Sequence, residues 1–372
     1  MKAKSVGTAK GVVTSALAGA LCLGAAACSS GSSPTSTPGT SASATSASTA
    51  SSGSSSVVWT TAPSGYAAAG GTELPGSYPT PAKAPGNGCK IGYIDPSGAI
   101  PGIKAEIQGV TNAAAKYGCT VVSKDGQLNP QVQVTGMQSL LAEGVAAIIV
   151  NPLVVAALAA PIAEANQKHI PVIIEDSPAS PTAANVAGTV TDFLQSRDVT
   201  AYAAAKAIAD AKPGAQVGLL YPAFQAGNLQ YQVQRFQYWA QKLGLHVAGT
   251  GNSSADNPSA ASQAASALLQ KHRNIQAIMT YNDTAAESAA TAARSLGMNN
   301  VLVTGIYGES GVTGLISQGR VLMTWAYDNT HNGEELGTAA IDAAEGVKIP
   351  AKVSAPGAII NKSNVSSYQP QA

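Results

Sequence analysis

Residues 144–179, GVAAIIVNPLVVAALAAPIAEANQKHIPVIIEDSPA, hold two short apolar runs separated by one helical pattern. Runs 146–150 and 171–174 are too brief for helices and rich in Ile and Val, so each reads as a buried parallel strand. Pro161 would break a helix in its interior, but in the first turn its missing N–H costs nothing, so the helix is predicted to start near Ala159. The second strand runs into Glu175, Asp176 and Ser177. Ligands of open α/β sheets lie beyond the carboxyl ends of the strands, which makes Asp176 the first candidate site residue.

Working outward, short β-rich runs keep alternating with helical patterns. Strands are predicted at 90–94, 120–123 and 185–190, with helices at 103–117 and 131–143. The pattern then restarts with helix 196–211, strand 217–220, helix 228–243, strand 245–248, helix 260–272 and strand 276–279. Helix 285–296, strand 301–304, helix 310–318 and strand 321–325 follow, and helix 333–345 and strand 358–360 end the series. Such alternation predicts an α/β fold with doubly wound parallel sheets. About 280 folded residues exceed what one core usually holds, so two Rossmann-like lobes are expected.

The 372 residues are 45% hydrophobic and 11% charged, with 21 Lys+Arg against 20 Asp+Glu. That balance leaves no electrostatic footprint for nucleic acid. Lys2, Lys4 and Lys10 precede an apolar run at 11–27 that ends in small residues before Cys28, the layout of an export signal over 1–27. The run is too short and too diluted with Gly, Ala, Ser and Thr for a membrane span. Ala25-Ala26-Ala27-Cys28 resembles the lipobox of bacterial lipoproteins, which implies acylation of Cys28; Ala25 stands where Leu is usual, and ordinary signal-peptidase cleavage is the alternative. Residues 28–56, nearly all Ser, Thr, Ala, Gly and Pro, are expected to form a disordered tether, because they cannot bury enough apolar surface to offset their ordering entropy. In 57–88, Trp59, Tyr66 and Tyr78 could dock on the domain, but the surrounding Pro and Gly read as loop.

Cys22 leaves with the signal and Cys28 takes the lipid, so Cys89 and Cys119 remain, each just before an apolar run. If those runs are neighbouring parallel strands joined by one helix, the two cysteines lie side by side at the amino ends. A disulfide is then expected in an exported domain, with two buried free thiols as the alternative.

Six stretches in order, IGYIDPSGAIPGIKAEIQGVTNAAAKYG, LLAEGVAAIIVNP, NQKHIPVIIEDS, IMTYNDTAAESAATAARSLGM, VLVTGIYG and GTAAIDAAEGVKIP, resemble the type I periplasmic binding proteins of ABC importers, in particular the sugar-binding, ribose-binding-protein-like subgroup. The resemblance covers 90–363 and implies two lobes joined by a three-segment hinge, with ligand in the cleft between them. The implied crossings fall near 191–193, 326–328 and 351–356. The N-terminal lobe is then 89–191 plus 328–353, and the C-terminal lobe 192–327 plus 354–366.

By the same resemblance Asp176 and Asn282 contact ligand, with Asp283 capping the following helix. Ser177 replaces an Arg, Gln232 aligns with a cleft Arg, and Tyr327 with a Gln near the second crossing. The family's aromatic pair falls on Gly102 and Ile103, and its later Phe-Asp reads Ile306-Tyr307. Charged partners are lost, while Tyr221, Phe224, Tyr307, Trp325 and Tyr327 gather at second-lobe strand ends and near the hinge. With three Phe and three Trp in the chain, that gathering points to a ligand less polar than a plain pentose: a modified or aromatic-bearing sugar, or another small cyclic compound. Simple lobe packing for the aromatics, and helix capping or a hinge hydrogen bond for Asp176 and Asn282, are the plainer readings.

His169, His246, His272 and His331 are scattered without metal-ligand spacing, and no Walker loop, nucleophile elbow or dinucleotide fingerprint occurs. No catalysis, cofactor or metal is therefore expected. The resemblance implies an exported monomer, lipid-anchored to the outer face of the cytoplasmic membrane, with a small-molecule ligand, an ABC permease and its ATPase as partners. A surface sensor that signals through a partner protein is the alternative.

Overall fold

The structure, a computed structural model, describes residues 56–85 and 89–371. The expected signal, Cys28 and all but the last residue of the tether lie outside the described residues.

The first lobe opens with β1 (Lys90–Asp95), α1 (Pro101–Lys116), β2 (Thr120–Asp125), α2 (Pro130–Ala142), β3 (Ala147–Val150), α3 (Ala159–Gln167), β4 (Val172–Glu175) and β5 (Thr191–Leu194). The second holds α4 (Arg197–Ala211), β6 (Gln216–Pro222), α5 (Gly227–Lys242), β7 (His246–Ser253), α6 (Pro258–Lys271) and β8 (Ala277–Met279). It continues through α7 (Asp283–Ser295), β9 (Leu302–Tyr307), α8 (Ser310–Ser317) and β10 (Met323–Tyr327). Helix α9 (Asn329–Ala344) and β11 (Lys352–Ser354) return to the first lobe, and β12 (Gly357–Asn361) to the second. The first sheet has the order β11-β5-β4-β3-β1-β2 and is parallel throughout; the second, β12-β10-β9-β8-β6-β7, is parallel except for β12, which runs antiparallel to β10.

Local chemistry sets the helix starts. Asn129 and Asn257 each precede a proline and accept from the backbone N–H of Gln131 and Ala260, so a capping amide and a preset φ coincide at α2 and α6. The strand expected at 185–190 is instead a turn, with Gly188 at φ 82°. The ladder begins at Thr191 and includes the polar Asp192, whose Oδ2 accepts from Ser177 and Lys352 inside the protein. The expected first crossing at 191–193 is therefore a strand of the first sheet, and the chain changes lobes at Gln195 and Ser196. It returns at Asp328 and crosses again at Ala355 and Pro356.

Registering Lys90 with Thr120 puts the preceding residues side by side, and Cys89 and Cys119 form a disulfide with Cα atoms 4.6 Å apart. The free-thiol alternative is set aside. Helices α1 and α9 pack at backbone distance through glycines: a Cβ on Gly109 would fall 2.0 Å from the Thr330 carbonyl oxygen, and one on Gly333 would fall 2.0 Å from that of Glu106. Residues 57–85 contain no helix or ladder strand, but Tyr66 and Tyr78 are buried, while Trp59 stays 39% exposed.

Candidate functional site

The carboxyl ends of β4 and β9 carry the same backbone signature. Asp176, just after β4, has φ 51°, and Tyr307, the last residue of β9, has φ 104°. Left-handed conformations at non-glycine residues cost about 1–3 kcal/mol each and concentrate at functional sites. Of the five such residues described, Asp176 and Tyr307 stand at strand ends, one in each lobe, while Gln127, Leu128 and His169 lie in first-lobe turns.

Asp176 and Tyr307 meet at Arg197, the first residue of α4. Its Nε donates to Asp176 Oδ1 at 2.9 Å and its Nη2 lies against Asp176 Oδ2, which also accepts from Asn228 Nδ2 at 2.6 Å. Arg197 Nη1 donates to Gln232 Oε1 at 3.1 Å, and the guanidinium carbon stands 5.4 Å from the centre of the Tyr307 ring. Tyr307 and Tyr327 have ring centroids 6.3 Å apart. Asp176 comes from the first lobe and the other five from the second, so the cluster closes across the interface. Asp176, Arg197 and Gln232 are 2%, 3% and 0% exposed.

Burial pushes the Asp176 carboxyl up, and the forked guanidinium opposes that rise. For Arg197, burial favours the neutral form, but the Asp176 carboxylate outweighs it and holds the group above its ordinary value. The fork from Nε and Nη2 to both carboxylate oxygens is the geometry of an ion pair, whose charges cancel. Burial pushes Tyr307 up to about 12 and raises Tyr327 further, so both remain phenols. Gln232 Nε2 has no hydrogen-bond partner among the described residues, and the Tyr327 hydroxyl has only the Trp325 indole N–H beside it. Unpaired buried polar groups are costly, so Gln232 Nε2 is a natural hydrogen-bonding position for a ligand.

Beside the cluster a cavity of about 480 Å³ lies between the lobes. Leu153, Val154, Val155 and Pro178 form one wall and Ala223, Phe224, Gln225 and Gly227 the other. Its size suits a small molecule, and its walls are mostly apolar.

The other expected site residues have different settings. Asn282 is the N-cap of α7: its Oδ1 accepts from Ala285 N at 2.8 Å and its Nδ2 donates to Asp256 at 2.8 Å, so its side-chain groups are committed within the lobe. Asp283 is not the cap, contrary to expectation; it is buried and accepts from Glu309 N and Thr324 Oγ1, each at 2.8 Å. Phe224 lines the cavity and meets Tyr281 edge-on at 5.8 Å. Tyr221 is half-buried on β6 opposite Asn252. Trp325 is buried over Gly357, where an added Cβ would fall 2.0 Å from its Nε1. Ser177 donates to Asp192 at 2.5 Å and so belongs to the hinge side of the first sheet. Among the described residues no group of His, Cys, Asp and Glu could hold a metal ion.

Arg197 and Asn228 are the residues that sequence reasoning misses. One signal was available: a cation at the first position of a helix opposes the macrodipole, so its presence there asks for a nearby carboxylate.

Behind Asp176, the buried Tyr93 Oη lies against Glu106 Oε1 and 3.0 Å from Glu175 Oε2. A phenol has one proton, so satisfying both contacts requires one carboxyl to be protonated and to donate to the phenol oxygen. Burial, then the neighbouring Glu106, raises Glu175 well above the carboxylate range; burial brings Glu106 to about 7. A folded value above the unfolded one means stability that is full below about 4.5 and lost as pH rises through about 7. For Glu106 that difference is on the order of 3 kcal/mol. The thermal midpoint should therefore fall between pH 5 and pH 8, and Glu106→Gln, which keeps an acceptor for Tyr93, should flatten that fall. An unchanged slope in the variant would assign the pH dependence elsewhere.

Comparison with known proteins adds the family. The model of the periplasmic binding protein domain matches residues 91–348. The ribose import binding protein of Bacillus subtilis (strain 168) is 28% identical over 251 residues, covering 67% of this chain and 79% of that protein. The crystal structure of an ABC transporter periplasmic solute-binding protein from Actinobacillus succinogenes 130z with bound D-allose aligns at TM-score 0.66 and 19% identity, over 75% of this chain and 100% of that one. That of a solute-binding protein from Bacillus halodurans C-125 with bound myo-inositol aligns at TM-score 0.67 and 19% identity, over 77% and 99%. With the family model spanning well over half of the sequence and two α/β lobes in place, the chain belongs to the periplasmic binding proteins, with the two-lobed type I fold.

Proposed function

We propose that this protein is an extracytoplasmic solute-binding lipoprotein, anchored through Cys28, that captures a small neutral sugar or sugar-like cyclic compound between its lobes and delivers it to an ABC importer permease. The observation that carries this reading is the cross-lobe cluster, whose charges cancel within the Asp176–Arg197 pair while Gln232 Nε2 has no partner among the described residues. A site with no spare charge favours a neutral ligand, and the apolar walls of the adjoining cavity favour one with an apolar face or substituent. Ribose in the name of one relative, and D-allose and myo-inositol bound to two structural neighbours, support the same class.

Asp176 stands on one lobe and its partners on the other, so a ligand that contacts both favours the closed arrangement through its differential affinity. A permease would read that closed shape. Among the described residues no helix is long and apolar enough to cross a membrane, and attachment is assigned to the Cys28 lipid.

A thermal-shift screen of the mature chain carrying Cys28→Ser, against neutral sugars, polyols, glycosides, sugar phosphates and amino acids, tests the reading. A neutral binder at a hundred times its dissociation constant should add about 2.7 kcal/mol of stability. Shifts confined to sugar phosphates or amino acids, or none at all, would overturn it.

A further inference from the structure

Residues 57–85 precede the family match, which begins at residue 91. Their two buried aromatic side chains are docked on different lobes. Tyr66 enters the second lobe, where its hydroxyl donates to Asp198 Oδ2 at 2.7 Å and its ring lies 5.4 Å from Tyr202 and 5.8 Å from Trp239. Tyr78 sits on the first lobe, its backbone N–H donating to Glu335 Oε2 at 2.7 Å and its hydroxyl 3.0 Å from Thr191 Oγ1. Thr60 exchanges two 2.8 Å backbone hydrogen bonds with Gly357, and Pro75 O accepts from Ser354 N at 2.8 Å. Ser354 and Gly357 flank the third passage between the lobes, so the segment runs beside the hinge and connects the lobes a fourth time.

We infer that residues 57–85 are a strap that restricts rotation of one lobe against the other. Gly71 N donates back to Tyr66 O at 2.9 Å, which closes the turn around the Tyr66 anchor. The Thr72 backbone also hydrogen-bonds the Tyr66 side chain, so residues 73 and 74 are the free run before the Pro75 pin, and three Cα steps reach at most about 11 Å. Rotation changes the distance between the Tyr66 pocket and that pin. The strap absorbs the change over those residues or gives up a buried tyrosine. Burying Tyr66 and Tyr78 thus favours the lobe arrangement of this structure, and a ligand that needs the same arrangement has less ordering left to supply.

The test needs no ligand. Nitroxide labels on Lys104→Cys and Ser254→Cys, one at each lobe's cleft rim, are placed in the full mature chain with Cys28→Ser and the native disulfide intact, and the interlobe distance distribution is measured by pulsed electron resonance. Inserting nine Gly/Ser residues between Glu73 and Leu74 lengthens the strap while leaving both anchors whole. The distribution should broaden by several ångströms relative to the parent, with little change in thermal midpoint. Tyr78→Ala, which frees the first-lobe anchor, should broaden it likewise. Coincident distributions for the parent, the insertion and Tyr78→Ala would overturn the inference.

Discussion

Arg197→Ala should abolish ligand binding and lower the unfolding free energy by about 3–5 kcal/mol, the usual result of stranding one member of a buried ion pair. The truncation leaves the Asp176 carboxylate buried with Asn228 alone, removes the donor to Gln232 Oε1 and takes the cation from the face of Tyr307. Arg197→Lys should recover little, because an ammonium cannot reproduce the fork to both Asp176 oxygens and the bond to Gln232 together. Pairing Arg197→Met with Asp176→Asn, which removes the stranded charge and keeps a side chain tolerant of φ 51°, should return part of the lost stability while binding stays absent. Urea denaturation and calorimetric titration with the compound found by the screen would separate the two effects. Binding retained by the double variant would remove the pair from the site.

Gly109→Ala should destabilise the chain by about 3 kcal/mol or more, although alanine is the better helix former by roughly 1 kcal/mol. The new methyl would stand 2.0 Å from the Thr330 carbonyl oxygen and 2.8 Å from the Glu334 nitrogen, and backbone atoms cannot rotate aside as a side chain does. Helices α1 and α9 must then separate. Since α9 brings the chain back from the second lobe at Asp328, the shift reaches the hinge. The comparison is Gly314→Ala in α8, where an added Cβ meets nothing within 4 Å and should stabilise by about 0.5–1 kcal/mol. Equal and small effects at the two positions, by chemical denaturation, would show that the α1–α9 contact is looser than described.

How much could be read from the chain follows from whether the signal was local. Strands such as β3 and β4 are legible because unbroken Ile and Val runs flanked by helical patterns admit few other structures, and Pro161 marks the start of its helix. Strand β5 misleads for the same reason: TDFL contains an aspartate whose partners Ser177 and Lys352 are distant in sequence, while the apolar look of 185–190 comes from a turn. Strand β11, three residues long between Pro350 and Pro356, has no pattern to read. At the site, a strand end marks Asp176, whereas its partner Arg197 lies 21 residues away and only the folded chain pairs them. Asn282 shows the converse limit, since a polar residue after a strand serves equally as a helix cap, and here it is one.

The most direct measurement is amide hydrogen exchange by mass spectrometry, with and without the ligand found by the screen. Slowed exchange is expected at once around 176–178 on the first lobe and across 223–232 and 307–309 on the second, because capture between the lobes buries both walls. Protection confined to one lobe, or lying away from both strand-end sets, would contradict binding in the cleft.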